Sequence, residues 1–281
     1  MERIIECVPN CSEGRNMEVI EGIAKAIEEG GRNSSCGRPG VKILNIDPGY
    51  ATNRTVITFT GSPEAVLEGI FQGVKRASEL IDMRQHQGTH PRSGATDVLP
   101  LIPISGITLE ECASLARGLA ERIYTELDIP CYCYEAAAFK PERKNLAVCR
   151  AGEYEALPEK ISDPDRRPDF GPDHFTGQAA RSGAINVGAR NFLIAVNFNL
   201  NTKSTDLAKL IAYDVRESGH PKKSSDGTRM PGRLKGCKAI GWFIDEYDIA
   251  QVSMNITDID TTPLHIAYEE VCRSARERGV K

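Results

Sequence analysis

The spacing of apolar positions divides the chain into alternating strand and helix signals. Arg3–Val8 reads as a strand, followed by a turn-rich loop over Asn10–Asn16. Met17, Ile20, Ile23, Ala24 and Ile27 recur at helical spacing, and Gly30-Gly31 stop that helix. Val41–Ile46 and the β-branched Thr55–Thr60 read as strands around a loop of turn formers from Asp47 to Asn53. Ser62 at the N-cap, Pro63 at the first helical position and Glu64 at the positive end of the dipole open a second helix. Its buried stripe is Val66, Ile70, Val74, Ala77 and Ile81. A polar loop, His86–Gly94, leads into Thr96–Ile104, where Pro100 and Pro103 cannot donate to a ladder and predict an edge or irregular strand. The order βαββαβ is the split-βαβ, ferredoxin-like arrangement.

Thr108 and Glu111 form a capping box for a helix with Cys112, Leu115, Leu119 and Ile123 inward. Ile129–Tyr134 returns as a short strand, and the charged, proline-rich Ser162–Asp169 predicts a linker. Asn191–Asn199 reads as a strand and Ser204 caps a helix carrying Leu207, Leu210, Ile211 and Val215. Gly219–Gly232 is polar. Lys238–Ile244 and Ile249–Ile256 predict a hairpin around Asp245–Asp248; Ala250, Val252, Met254 and Ile256 alternate with Gln251, Ser253 and Asn255, which buries one face. Thr262 and Pro263 open a last helix, with Leu264, Ala267, Val271 and Ala275 on one side. This second half runs βαββα. The pattern predicts an α+β protein of two ferredoxin-like (split βαβ) subdomains, residues 1–182 and 183–281, the second lacking its last strand.

A length of 281 residues suits such a pair. With 40% hydrophobic and 26% charged residues and a net charge of −4, the chain is an ordinary globular one. No basic stripe interleaves with aromatics, which argues against nucleic acid as a partner. No apolar run reaches membrane-spanning length and no basic-then-apolar leader follows Met1, so a soluble cytoplasmic protein is expected. Nine cysteines at irregular spacing argue against a disulfide framework; Cys131 and Cys133 are expected as core residues on one strand face rather than as metal ligands.

Five histidines are candidates for chemistry: His86, His90, His174, His220 and His265. His86 and His90 share a loop with Gly88, Pro91, Arg92, Gly94 and Asp97, where three readings stay open. His90 is a general acid/base; or His86 and His90 bind metal, although Gly88 and Pro91 spoil the helix that would align them; or the loop is structural. A second glycine-rich stretch, Phe170–Gly183, continues to Gly188-Ala189-Arg190. Its backbone amides, with Arg181 and Arg190, could hold carboxylates.

Several stretches together resemble the glutamate formimidoyltransferase (formiminotransferase) family. Glu6-Cys7-Val8-Pro9-Asn10 with Ser12-Glu13-Gly14 resembles its opening, and Thr52-Asn53-Arg54-Thr55-Val56 its second signature. Leu80-Ile81-Asp82-Met83, Gly88, His90-Pro91-Arg92, Gly94-Ala95 and Asp97-Val98 resemble its active-site segment. Ala151–Pro158, Pro168–Pro172, Gly188-Ala189-Arg190 and Ala250-Gln251-Val252-Ser253 follow in the family's order. The resemblance implies formimidoyl transfer from N-formimidoyl-L-glutamate to N5 of tetrahydrofolate in histidine degradation. It also implies a homodimer with the folate between two ferredoxin-like subdomains, tetrahydrofolate as co-substrate, and no metal.

The family's catalytic histidine falls on His90. Its folate loop falls on Gly171, Pro172, Asp173, His174, Phe175, Thr176, Gly177, Gln178, Ala179, Ala180, Arg181, Ser182 and Gly183, a few residues longer here. Asp47 occupies a position that lies near the catalytic histidine in the family, where it could orient the imidazole. Together with Asn53, Arg54, Arg92 and Arg190 it is a candidate for substrate binding. Cys11, Thr89 and Ser93 depart from the family pattern. Alternatives are the same folate chemistry with formimidoylglycine or N-formylglutamate as donor, or folate binding without turnover. No cyclodeaminase region is recognised, so the transfer step alone is expected.

Overall fold

The computed structural model describes residues 2–34, 40–221 and 230–281. Residues 222–229, inside the polar Gly219–Gly232 segment, and Cys36 lie outside that set. The chain divides into two compact units, Met1–Arg190 and Asn191–Lys281.

The first unit opens with strands β1 (Ile4–Cys7) and β2 (Asn10–Cys11), then helix α1 (Met17–Ser34), β3 (Lys42–Gly49), β4 (Arg54–Gly61), α2 (Pro63–Leu80) and β5 (Thr96–Ser105). Strand β3 pairs antiparallel with β4, β4 with β1, and β1 with β5. That order is the split-βαβ arrangement the periodicity predicted. The Ser62 hydroxyl accepts from the Ala65 amide at the start of α2, as its sequence required.

The sheet then grows beyond that prediction. Helix α3 (Leu109–Leu127), β6 (Cys131–Glu135), α4 (Leu146–Cys149), α5 (Leu157–Ser162), α6 (Gly177–Ser182) and β7 (Ile185–Ala189) follow. Strand β7 lies between β5 and β6, parallel to both, and brings the sheet to seven strands. All five residues of β7 are buried, so no alternation betrays it in the sequence. Because β7 belongs to the first sheet, the first unit runs to Arg190, past the 182/183 boundary read from the sequence.

Two expectations are corrected. Of the two readings of β5, edge or irregular, the first is corrected and the second holds: it lies between β1/β2 and β7, with shifted register to both β1 and β2. Its prolines are tolerated because the ladder is irregular, with the register to β1 shifting beside Pro103 and the Pro100 carbonyl accepting from the Val8 amide at 3.4 Å. Nor is Ser162–Asp169 a linker. Asp169 forms an ion pair with Arg143 at 2.6 Å and accepts from the Cys133 amide at 2.7 Å, both within the first unit. Charged composition suggested a solvated stretch; the Asp169 and Arg143 side chains are in fact 6% and 5% exposed.

Strand β3, at one side of the sheet, is largely exposed, whereas along β5, β7 and β6 the sheet buries both faces. Helices α1, α2 and α3 cover one, with Ile23, Ile27, Ile70 and Leu119 against Ile57, Phe59, Leu99 and Leu101. On the other, Leu157, Ile161 and Ala179 cover Val98, Tyr132 and Tyr134. Cys131 and Cys133 belong to the first group and the intervening tyrosines to the second, the alternation expected of a strand.

The second unit contains β8 (Ile194–Asn199), α7 (Thr205–Val215), β9 (Cys237–Ile244), β10 (Ile249–Ile256) and α8 (Leu264–Glu277). Strand β10 lies antiparallel between β8 and β9, a split βαβ with three strands among the described residues. Ala250, Val252, Met254 and Ile256 face Ile211, Val215 and Val271, as the alternation predicted. Overall the protein is α+β, with one large and one three-stranded sheet.

Candidate active site

The histidine loop is shaped by backbone packed on backbone. It lies against the turn joining β3 to β4, and a side chain at Gly88 would stand 2.2 Å from the Thr52 carbonyl oxygen. Gly14 is likewise held, 2.3 Å from the Gly49 oxygen for any added Cβ. Asn53 joins these pieces from a left-handed backbone (φ 47°), a conformation asparagine tolerates. Its side-chain oxygen accepts from the Gly14 amide at 3.0 Å and its amide donates to the Gln87 carbonyl at 2.9 Å. His86 Nε2 donates to the Asn53 carbonyl at 2.9 Å. Asn53 and His86 thus build the loop, and burial holds His86 below its ordinary pKa, in the neutral form.

Strand β5 delivers the charged centre through a bulge. Asn10 pairs with Val98 and Cys11 with Thr96, so Asp97 is the extra residue between two successive partners of β2. A bulge re-aims a side chain. Here Val98 packs on the Tyr132 side of the sheet and Leu99 on the Ile57 side, while Asp97 has no exposed surface. The bulged backbone is satisfied, because Asn186 on β7 donates to the Asp97 carbonyl at 2.9 Å.

Taking a carboxylate wholly out of water costs several kcal/mol, so such a group is stable only when compensated. Asp97 is compensated three ways. It pairs closely with Arg54 at the start of β4, with Arg150 just after α4 at 2.9 Å, and accepts from the Ser93 amide at 2.8 Å. Burial pushes the Asp97 pKa up, but the two guanidinium groups and the amide outweigh it and hold the carboxyl below its ordinary value. Arg54 also donates to the Asn10 side chain at 3.1 Å. The Arg54 and Arg150 side chains are 8% and 15% exposed. One carboxylate between two guanidinium groups leaves surplus positive charge.

His90 lies within the field of that surplus. Burial first, then Arg54 and more weakly Arg150, lower its pKa to about 4; the Pro91 carbonyl, a larger influence than Arg150, and Asp97 oppose them. Its Nδ1 lies 2.8 Å from the Pro91 carbonyl oxygen, which can only accept. The proton therefore sits on Nδ1, and Nε2 carries a free lone pair near neutral pH. This is a positioned neutral base.

Of the sequence candidates for substrate binding, Arg54 thus lies in the charge set. Asp47 is an exposed residue of β3, opposite Val56; the carboxylate whose field reaches His90 is Asp97. Arg92 is committed to Glu155, bidentate at 2.7 and 2.8 Å, and to Glu153 at 3.3 Å. Arg190 ends the first unit, and its field reaches Glu6 and Tyr134. Arg181 caps carbonyls at the end of α2, donating to Ser78 at 3.2 Å and Glu79 at 2.8 Å.

From Gly171 to Gln178 the backbone is half-exposed, with an exposed Asp173–His174 pair and Phe175 partly buried against the Tyr132 group. Its far end is fixed to the histidine loop. Gly183 has φ 70°, an added Cβ there would lie 2.1 Å from the Ser93 oxygen, and the Ala95 amide donates to Ser182 at 2.8 Å. Sequence reasoning missed Arg150, whose only signal is that it directly precedes the Ala151–Pro158 motif.

Comparison with known proteins agrees with this layout. Residues 4–190 match a family model described as the formiminotransferase domain, N-terminal subdomain, and residues 195–281 one described as the formiminotransferase domain. The chain is 48% identical to a formimidoyltransferase-cyclodeaminase of Gallus gallus, over 98% of this chain and 48% of that one. It thus spans about half the length of the first relatives it matches. It is 42% identical to a glutamate formimidoyltransferase of Streptococcus pyogenes, over 100% of this chain and 86% of that one. A glutamate formimidoyltransferase of Thermoplasma acidophilum is 38% identical, over 99% and 84%. With both of its units matched in order, this chain belongs to the formiminotransferase family.

Proposed function

We propose that this chain transfers the formimidoyl group of N-formimidoyl-L-glutamate to N5 of tetrahydrofolate, in histidine degradation, with His90 carrying the proton. The observation behind this reading is a neutral histidine, with its Nε2 lone pair free, within the field of the surplus positive charge of Arg54, Asp97 and Arg150. The two full-length glutamate formimidoyltransferase relatives support the choice of donor.

The residues suit the steps. As the new C–N bond forms, the acceptor amine must lose a proton, and His90 Nε2 takes it. As the old C–N bond breaks, the departing glutamate nitrogen must gain one, and the His90 cation returns it. A histidine of low proton affinity is a strong donor once protonated, which favours the second transfer. Guanidinium groups suit the carboxylates of the donor. The half-exposed backbone from Gly171 to Gln178, with the flat side of Phe175, fits the acceptor's ring system. A homodimer in the cytoplasm completes the reading, and sedimentation tests the dimer.

The direct test mixes the protein with tetrahydrofolate and each of N-formimidoyl-L-glutamate, formimidoylglycine and N-formylglutamate, and follows the 5-substituted product by absorbance, 5-formimidoyl-tetrahydrofolate from the first two donors and 5-formyl-tetrahydrofolate from the third. Turnover with the first donor is expected; turnover only with another, or folate binding with none, overturns the reading. His90→Ala is expected to lower kcat by about 10²–10⁴-fold, the usual contribution of a general acid/base. Full activity in that variant removes His90 from the mechanism.

A further inference from the structure

The charge set beside His90 is incomplete in a specific way. Asp97 is fully buried and shared by two guanidinium groups. Among the described residues, no second carboxylate comes within ion-pair distance of either Arg54 or Arg150. Arg54 turns its Nε to the neutral side chain of Asn10. Arg150 Nε is buried and finds no hydrogen-bond partner. Burial lowers the pKa of Arg150 itself, against the field of Asp97; Arg54 adds to the lowering, and Tyr134 and Glu153 offset it only in part. Surplus charge in a poorly hydrated place is felt strongly by whatever titrates beside it.

We propose that Arg150 is a positioning residue for the transfer reaction: with Arg54 and Asp97 it forms a charge set one anion short, and the carboxylate of the formimidoyl amino acid supplies that anion beside His90. The proposal rests on the reading of His90 as the proton carrier. Empty, the set keeps His90 unprotonated and ready to accept. Filled by a carboxylate, it no longer repels a proton on the imidazole, and the His90 cation persists until the leaving nitrogen takes the proton. Substrate binding and the switch from base to acid are then one electrostatic event.

The groups that bear on His90 can be named element by element. They are Arg54 from β4, Asp97 from β5 and Arg150 following α4, together with the Pro91 carbonyl of its own loop. Arg92, two residues on, is matched by Glu153 and Glu155 and adds little net field. Arg150 is therefore the one cation of the set that can be altered without touching the histidine loop or the β3–β4 turn.

The test follows the His90 ring by NMR in the whole chain labelled with ¹³C-histidine, the resonance being assigned by its loss in His90→Gln. In wild type the midpoint is expected at about 4. Arg150→Met should raise it by roughly half a pH unit, about a threefold gain in proton affinity, and Arg150→Lys should restore it, because charge rather than shape is at work. Saturating L-glutamate, the probe anion, should raise the wild-type midpoint and leave that of Arg150→Met unmoved. An unchanged midpoint in Arg150→Met, no rescue by lysine, or no response of wild type to glutamate overturns the proposal. If Arg150→Met does not fold, the glutamate titration of wild type still decides. None of these readouts needs turnover. A protein that transfers nothing yet shows the shifts sinks the proposed function and keeps the charge set; an active enzyme with a fixed midpoint does the reverse.

Discussion

Two aspartates, one in each unit, gather cations and a histidine around a carboxylate, and the two arrangements do opposite things. Asp214 at the end of α7 accepts from the Ser274 hydroxyl and pairs with Arg278, both at 2.6 Å, while His220 Nε2 sits 2.7 Å from its other oxygen. The histidine is on the carboxylate, so the group is self-matched and closes a fold. Around Asp97 the oxygens are used up by Arg54, Arg150 and the Ser93 amide, and the histidine stands outside, within the field of the guanidinium groups. The same residue types give a self-matched cluster in one place and, in the other, a histidine kept neutral beside unmatched positive charge. What decides is whether the histidine shares the carboxylate with its arginine, as at Asp214, or is left outside it, as at Asp97.

The comparison breaks first on charge removal. Asp97→Asn leaves two partly buried guanidinium groups without an anion, and losing one partner of a buried pair typically costs about 3–5 kcal/mol. Asp214→Asn keeps an acceptor oxygen for Ser274 and is less deeply buried, so about 1–3 kcal/mol is expected. Urea unfolding separates the two, because the protein's single tryptophan, Trp242, lies on β9 of the second unit. Its fluorescence transition should move with Asp214→Asn, whereas Asp97→Asn should move hydrogen exchange of the first sheet. Equal costs would mean that the charge surplus at Asp97 is not real.

How much of this was legible follows from what each feature leaves in the sequence. Strands β1, β3 and β4 and helix α2 show period or capping residues and are legible nearly to their ends, whereas α1 runs on to Ser34 through Gly30 and Gly31, its predicted stop. The polar loop containing His90 stood out because glycine, proline and histidine punctuate it. The Asp97 bulge was invisible: one extra residue in β5 changes no composition and no period over so short a span. Yet it is the bulge that re-aims Asp97. Arg150 was hidden for a related reason. It follows a four-residue helix in a stretch with no periodicity, and only the fold brings it across to β5. Asn53, Arg92 and Arg181 were legible as candidates by residue type, but the neighbours that hold them, Gln87, Glu155 and Glu79, come from distant parts of the chain and left no local signal.

Acid sharpens the comparison next. The folded value of His90, about 4, lies below its ordinary 6.5. Between these two, the unfolded chain takes up a proton that the folded chain refuses. His90's contribution to stability is therefore complete above pH 6.5 and is lost as the pH falls toward 4. Asp97 and Asp214 are both held below the ordinary carboxylate value of 3.8, so their contributions persist through that window and fail only under more acid conditions. Stability measured by denaturant at stepped pH should fall between 6.5 and 4, and His90→Gln should flatten part of that fall. His86, also held low by burial, keeps the remainder. A slope that His90→Gln leaves unaltered would show that His90 titrates normally in the fold.

The smallest effect is expected where the same pairing stands in water. Asp173 and His174 are joined at 2.9 Å, as closely as the buried examples, but their side chains are 80% and 74% exposed. Solvent and salt screen such a pair, and holding two mobile side chains in one geometry offsets what attraction remains. Asp173→Asn should leave the unfolding midpoint unmoved at any salt concentration, despite a distance that by itself would rank it beside Asp214. A measurable loss would mean that Asp173 is held by more than His174. With a null result, the three aspartates form a graded series in which separation barely varies and exposure runs from 0% at Asp97 through 11% at Asp214 to 80% at Asp173. The energetic order would then follow burial, the variable that also sets how strongly the charge set beside His90 acts on its neighbour.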